Sequence, residues 1–417
     1  MDVHVTKTVP IEFKWVVEAY RKVRQGGKAV GIDEESWTEF DKNPERNCYV
    51  IWNRLASGSY HPQPVREVEI PKKDGSKRKL GIPTLRDRIS QEVVKEYMEK
   101  RIDSRFHENS YGYRPMKSAH AALKQVMQNC YRYDWVIDMD ISKFFDEIDH
   151  ELMLKAVEHI MPEEKWVRMY VKRWLEMPVQ VLTGEIKPKE GKGTPQGGVI
   201  SPILANLYLH YTLDLWLSRE YPEVSFVRYA DDVVVHCEHK EEAEAALIAI
   251  RERLGQAKLR IKESKTRIVY CQDYRRSEKQ EAVKFEFLGF SFQPISMKSK
   301  KQEGTYFNGY GNKPSSQNIK KMIQTIRLEE AFKNTSLVIN DIARETNAKI
   351  RGWINYYGIF NKYHLISVMY KVDDRLIQWL RKKHKLGLRN ATAKLNAIKQ
   401  NDPKLFYHWE AGICLKL

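Results

Sequence analysis

Asp140, within Trp135-Val-Ile-Asp-Met-Asp-Ile141, and the pair Asp231 and Asp232, within Phe226-Val-Arg-Tyr-Ala-Asp-Asp-Val-Val-Val235, each interrupt an apolar, β-branched run. Such runs read as buried strands, and a carboxylate on a buried strand needs a partner. Mg²⁺ is suited to the role. It takes carboxylate oxygens and keeps positions open for water and phosphate, so two strands presenting Asp140 and Asp231 side by side describe a phosphoryl-transfer centre holding two ions, with Mn²⁺ as a possible substitute. In that reading Asp140 and Asp231 bridge the metals and Asp232 adds charge and a more distant contact. The backbone carbonyl of Ile141 is a further candidate ligand. Asp138 is the second choice for the first acid, because residues two apart on a strand share a face.

The elements that must position these acids can be read from the same sequence. Tyr229-Ala-Asp-Asp232 lies between Val227 and Val233-Val-Val235, so the paired acids belong at the tip of a β-hairpin. Upstream, helical spacing over residues 11–58 gives way to a proline-punctuated segment ending at Pro71. Asp74-Gly75 then predicts a hairpin whose arms carry Lys72, Lys73, Lys77, Arg78 and Lys79. That hairpin suits either a solvated surface or a grip on a triphosphate. Gly193-Thr-Pro-Gln-Gly-Gly198 reads as a loop, Ser201-Pro202 as a capped helix start, and residues 203–217 as one helix burying Leu204, Leu207, Tyr208, Tyr211 and Leu215. A short strand is expected at Leu259–Lys262 and another over 284–292. The alternation followed by antiparallel hairpins predicts an α+β fold rather than a doubly wound sheet. Residues 295–314 read as a loop or linker, with helices over 315–332, 337–357 and 364–384.

Lys and Arg exceed Asp and Glu by 16, which favours polyanionic partners. The excess is uneven: residues 312–417 hold 20 Lys/Arg against 8 Asp/Glu. The C-terminal quarter is therefore the expected nucleic-acid clamp. Its aromatics, among them Trp353, Tyr356, Tyr357 and Trp379, suit either base stacking or a helical core. The candidate contacts are Arg114, Lys320, Lys321, Arg351, Arg381, Lys382 and Lys383. No apolar run approaches the roughly 18 residues of a membrane helix, and no signal-peptide core is present, so a cytoplasmic location is expected. Five scattered cysteines give neither a disulfide framework nor a zinc signature.

The ordered segments Ile70-Pro-Lys72, Tyr111-Gly-Tyr-Arg-Pro115, Asp138-Met-Asp-Ile-Ser-Lys-Phe-Phe-Asp146, Gly193–Pro202, Tyr229–Asp232 and Phe287-Leu-Gly-Phe290 resemble the block series of bacterial group II intron reverse transcriptases. Arg351-Gly-Trp-Ile-Asn-Tyr-Tyr357 resembles their maturase, or X, domain. The resemblance implies a right-hand polymerase with an RRM-like palm sheet and an all-α thumb. Its expected divisions are 1–134 for an N-terminal extension and fingers, 135–300 for the palm, 301–385 for the thumb and 386–417 for a short basic tail. It makes Phe145 the aromatic that excludes a ribose 2′-hydroxyl, Lys72 and Arg78 a triphosphate grip, and Gln196 and Lys265 further nucleotide contacts. Phe287, Leu288 and Gly289 become the primer grip. The implied function is RNA-directed DNA synthesis coupled to binding of intron RNA for splicing and mobility. Its partners would be intron or other template RNA, a DNA primer or target, and dNTPs, the chain acting as monomer or homodimer in the bacterial cytosol near the nucleoid. The same resemblance leaves room for a domesticated enzyme of DNA repair or phage defence, or for a non-catalytic splicing cofactor. The expected absence of an endonuclease domain suggests priming from a nascent strand at a replication fork.

Overall fold

The computed structural model describes residues 8–71, 77–298 and 304–414, and the chain divides into two compact units, 1–122 with 139–267 and 123–138 with 268–417. Among the described residues the strands are, in chain order, β1 (Val65–Pro71), β2 (Lys77–Ile82), β3 (Trp135–Asp140), β4 (Val179–Gln180), β5 (Ile186–Lys187), β6 (Ser225–Tyr229), β7 (Asp232–Cys237), β8 (Arg267–Tyr270), β9 (Phe285–Phe287), β10 (Phe290–Lys298) and β11 (Tyr306–Pro314). The mixture of sheets and helices is the expected α+β class. No helix among the described residues is long and apolar enough to cross a membrane.

In the first unit, β1 and β2 pair antiparallel from Arg66↔Ile82 to Pro71↔Lys77, in a sheet of order β2-β1-β4-β5. The connecting residues 72–76, and with them the Lys72 grip, lie outside the described residues. Two arm cations are spent within the sheet: Lys77 pairs with Glu69 at 2.6 Å and Lys79 with Glu67 at 3.1 Å. Arg78 lies on the alternate face of the strand, as the two-residue period requires. The first unit also contains the β6–β7 hairpin, paired from Ser225↔His236 to Tyr229↔Asp232, with Val227 and Val233–Val235 buried.

The single helix expected over 203–217 is instead a helix Ser201–Leu209, a π-turn His210–Asp214 and a helix Leu215–Glu220. The inserted residue rotates the buried face, so Leu215 is exposed and Leu213 and Leu217 are buried in its stead. Carbonyls displaced by the wider turn are recovered by Arg253, which donates to Thr212 O and Tyr211 O, each at 3.0 Å. Ser201 is the first helical residue rather than the cap, and its hydroxyl donates to Pro195 O at 2.9 Å, pinning the preceding loop. The strand expected at 259–262 is reduced to one bridge, Ile141↔Ile261.

In the second unit, β9, β10 and β11 form one antiparallel sheet, so the segment expected as a linker is in large part the β10–β11 hairpin. Polar and glycine-rich composition misled because the segment still presents Tyr310 and Asn312 to the core. Helices Ser316–Leu328, Ile339–Asn361 and Ile366–His384 then build an apolar bundle. The expected tail is part of that bundle. Helix Leu388–Asn401 contributes Ala391 and Leu395, and the following residues contribute Phe406, Trp409 and Ile413 to the same core. Asp373 fastens them, accepting hydrogen bonds from His408 Nε2 at 2.9 Å and Trp409 Nε1 at 2.8 Å.

A second buried cross-link in this unit is Arg276, which donates to Tyr133 O, Cys130 O and Asp273 Oδ2 at 2.8, 3.0 and 2.7 Å. Burial alone would raise the Asp273 carboxyl, but hydrogen bonds from Arg276 and Arg275 outweigh it and hold the group well below the usual carboxylate range. A lowered folded-state pKa contributes stability above the unfolded value and loses it as the pH falls. Asp273→Asn should therefore be destabilised by about 1.5–3 kcal/mol at neutral pH, leaving Arg276 with Asp134, at 3.2 Å, as its remaining carboxylate partner. Denaturant melts should converge with the wild type as the pH drops below about 4. A difference independent of pH would assign the loss to packing.

Candidate polymerase active site

The turn that carries the second acid group is strained and heavily braced. Tyr229 and Asp232 close a two-residue turn whose first residue, Ala230, is left-handed at φ +57. Glycine ordinarily takes that position, and an L-residue there costs about 1–2 kcal/mol. Arg228, fully buried one residue before the turn-closing Tyr229, donates Nη1 to Ala230 O at 3.1 Å. A hydrogen bond from a charged group contributes about 1.5–3 kcal/mol, enough to offset the strain. Arg228 is itself held by Asp214 through Nε–Oδ1 at 2.7 Å and Nη2–Oδ2 at 2.5 Å, both side chains having no solvent exposure. The π-turn delivers Asp214 to this place.

Asn206 joins the turn to the Tyr111-Gly-Tyr-Arg-Pro115 segment. Its Oδ1 accepts from Arg228 at 3.0 Å and its Nδ2 donates to Gly112 O at 2.7 Å. The Tyr111 N–H also donates to Arg228 O at 2.8 Å. Gly112 is obligatory here, since a Cβ would lie 2.4 Å from the Ala230 nitrogen. Tyr113, itself left-handed at φ +56, leaves its ring exposed with the centroid 6.4 Å from that of Tyr229.

Asp140 ends β3 and is half-buried. Its carbonyl accepts from Lys262 N–H, and Ser142 N–H donates to Arg260 O, each at 2.8 Å. These two bonds flank the Ile141↔Ile261 bridge, making it the non-hydrogen-bonded kind, so the Ile141 carbonyl points away from Ile261. Asp140 and Asp231 feel each other directly. Burial pushes the Asp231 carboxyl above its ordinary range and the Asp140 charge adds to the rise, while its own N–H, Arg78 and Lys265 oppose it. Lys265 Nζ meets Asp140 Oδ2 at 2.8 Å.

Among the described residues no three His, Cys, Asp or Glu side chains converge on a ready-made metal cage. The arrangement is two mutually repelling, half-buried carboxylates, with Asp232 on the exposed side of the turn. This fits a divalent ion that takes one or two carboxylates and completes its shell with water and phosphate. The donors that fit are Asp140, Asp231, the Ile141 carbonyl and, further out, Asp232.

The nucleotide-facing candidates gather in the same unit. Arg78 Nε donates to Gln196 Oε1 at 2.5 Å, and Gln196 Nε2 to Asp146 Oδ1 at 3.3 Å. Phe145 anchors the Gln196 loop, its carbonyl accepting from Thr194 N–H at 2.8 Å. Its ring lies 5.4 Å from that of Phe144, which packs inward on Tyr208, while Phe145 retains 9% exposure.

In the second unit, Phe287 is buried, and Leu288 (φ +47) and Gly289 (φ +81) make the β9–β10 turn. Helical residues seize that turn: Tyr356 Oη donates to Leu288 O at 2.9 Å, and Asn318 Nδ2 to Gly289 O at 3.0 Å. Of the proposed nucleic-acid cations, Lys320, Lys321, Arg351, Arg381 and Lys382 are exposed. Arg114 is not such a contact, because it is consumed internally by Asp103 at 2.8 Å and by the His107 and Ser110 carbonyls. Lys383 is likewise engaged, donating to Thr335 O and Leu337 O. Tyr113, Asn206, Asp214 and Arg228 were not singled out by the sequence reading. The signal for Arg228 was present: it is a lone cation in an apolar strand.

A family model described as reverse transcriptase (RNA-dependent DNA polymerase) matches residues 70–292, and one described as group II intron, maturase-specific domain matches 319–395. The chain is 32% identical over 303 residues to Protein YkfC of Escherichia coli K12, covering 62% of this chain and 78% of that protein. It is 34% identical over 206 residues to the group II intron-encoded protein LtrA of Lactococcus lactis subsp. cremoris, covering 48% of this chain and 33% of LtrA. A Candida albicans telomerase structure aligns with a TM-score of 0.47 and 13% identity over 84% of this chain and 63% of that one. With more than half its length matched by the polymerase family and the maturase-specific match following, the chain belongs to the reverse transcriptase family and is of the group II intron type.

Proposed function

We propose that this RNA-directed DNA polymerase extends a DNA primer on intron or other template RNA at Asp140 and Asp231, with Asp232 in support. The observation that carries the assignment is the placement of Asp140 at the end of β3 and of Asp231 in the tight β6–β7 turn, near enough that the Asp140 charge bears on the Asp231 carboxyl. When bound, two Mg²⁺ ions, or Mn²⁺ in their place, would supply an activated primer 3′-hydroxyl and charge neutralisation on the phosphates. The protein's own task is positioning. The strained turn fixes Asp231, the β3 end fixes Asp140, and the Arg78–Gln196 pair holds the triphosphate side. Phe145 forms the floor beneath the sugar. Lys265, already an ammonium partner of Asp140, is placed to follow negative charge onto the departing pyrophosphate. The exposed cations Lys320, Lys321, Arg351, Arg381 and Lys382 grip phosphates of a template–primer duplex and of intron RNA, which suits recognition by shape. The chain would work in the bacterial cytosol close to the nucleoid, as a monomer or homodimer.

Asp231→Asn should abolish primer extension on RNA with dNTPs while leaving RNA affinity within about twofold, since removing one acid does not touch the phosphate-gripping cations. Parallel loss of both would make the acids organisers of the fold. Phe145→Ala should admit ribonucleotides, raising their kcat/KM relative to dNTPs by about tenfold or more. Unchanged sugar discrimination would remove the gate from this position.

A further inference from the structure

We infer that Arg228, with Asp214 and Asn206, is a positioning residue for the acid pair, setting where Asp231 stands relative to Asp140. The inference rests on the assignment of Asp140 and Asp231 as the catalytic acids.

Three observations converge. The turn residue before Asp231 is held in the left-handed region, and its carbonyl is bonded to Arg228 at 3.1 Å. Arg228 is aimed by a two-point contact with Asp214, which comes from a π-turn, a rare element otherwise unexplained in a buried helix. Asn206 links the same guanidinium to Gly112, whose missing Cβ lets the loop press on the Ala230 nitrogen. The turn is therefore fixed at its carbonyl from one side and at its nitrogen from the other. None of Arg228, Asp214 and Asn206 has a surface to offer substrate, each being at most 1% exposed. They act through Asp231. Two carboxylates that repel each other relax apart unless the backbone beneath them is rigid, and a wider separation weakens their joint hold on a cation. Outer groups that orient metal-binding side chains commonly matter by about 10- to 100-fold in metal affinity or activity.

The test is primer extension titrated with Mg²⁺, alongside thermal melting and RNA affinity. Removing one member of a buried ion pair strands the other, so the pair is replaced together as Arg228→Met with Asp214→Leu. Asn206→Ala breaks the link to Gly112 without leaving a charge. In both variants the half-maximal Mg²⁺ concentration should rise by about tenfold or more, with RNA affinity retained and extension partly restored at high Mg²⁺. A Mg²⁺ requirement equal to the wild type in folded variants overturns the inference, even if the melting temperature falls. If the double variant does not fold, Asn206→Ala alone decides by the same criterion. Asp231→Asn run in parallel separates the two claims: activity surviving in that control defeats the catalytic assignment itself, whereas its loss beside an unchanged Mg²⁺ response in Asn206→Ala defeats only the brace.

Discussion

The buried ion pair between Arg228 and Asp214 is the contact on which the rest of the site depends. Taking both charges out of water costs several kcal/mol per ion, and only near-ideal geometry with every remaining donor satisfied returns it. The two-point contact provides the geometry, and Asn206 and the Ala230 carbonyl take further guanidinium hydrogens. The π-turn, the left-handed alanine and the close approach of Gly112 are each unfavourable alone. Together they form one consistent arrangement, because the same guanidinium meets all three elements directly or through one side chain.

That rigidity answers the problem posed by the acids. Burial opposes ionisation of Asp231, and the charge of Asp140 adds to the cost. Lys265 on Asp140 neutralises part of this charge. The site thus holds its carboxylates in a state that a divalent ion would relieve, and the scaffold prevents relief by drifting apart. The second unit follows a parallel logic at the β9–β10 turn, where Tyr356 and Asn318 lock the carbonyls of Leu288 and Gly289 to the helical bundle.

Much of this was legible in the sequence for a definite reason. Charged residues that interrupt apolar runs are costly, so Asp140 and Asp231 stand out as site candidates, and the valines on either side of Tyr229–Asp232 mark the hairpin turn. What escaped were features decided by tertiary contact. One extra residue in a helix leaves the apolar spacing of 201–217 nearly intact, so the π-turn cannot be seen until Leu215 is found exposed. Arg114 reads as a surface cation in a polar segment, yet Asp103 and two carbonyls enclose it. The C-terminal residues looked like a tail because their apolar positions are sparse. Phe406 and Trp409 are nonetheless buried in the bundle core, and Asp373 supplies the polar anchor. The 306–314 strand was hidden by Gly309 and Gly311, where the cross-strand side chains of Met297 and Ile295 fill the space a side chain would have taken.

The central claim is that Asp140 and Asp231 together hold the ions of nucleotide transfer. It is tested most directly by electron paramagnetic resonance of Mn²⁺ titrated into the chain assembled with RNA template, a primer lacking its 3′-hydroxyl and the matching dNTP. The account predicts tightly held Mn²⁺ in the wild type, and its loss in both Asp140→Asn and Asp231→Asn with the nucleic acid still bound. Equal Mn²⁺ retention in either variant would contradict it.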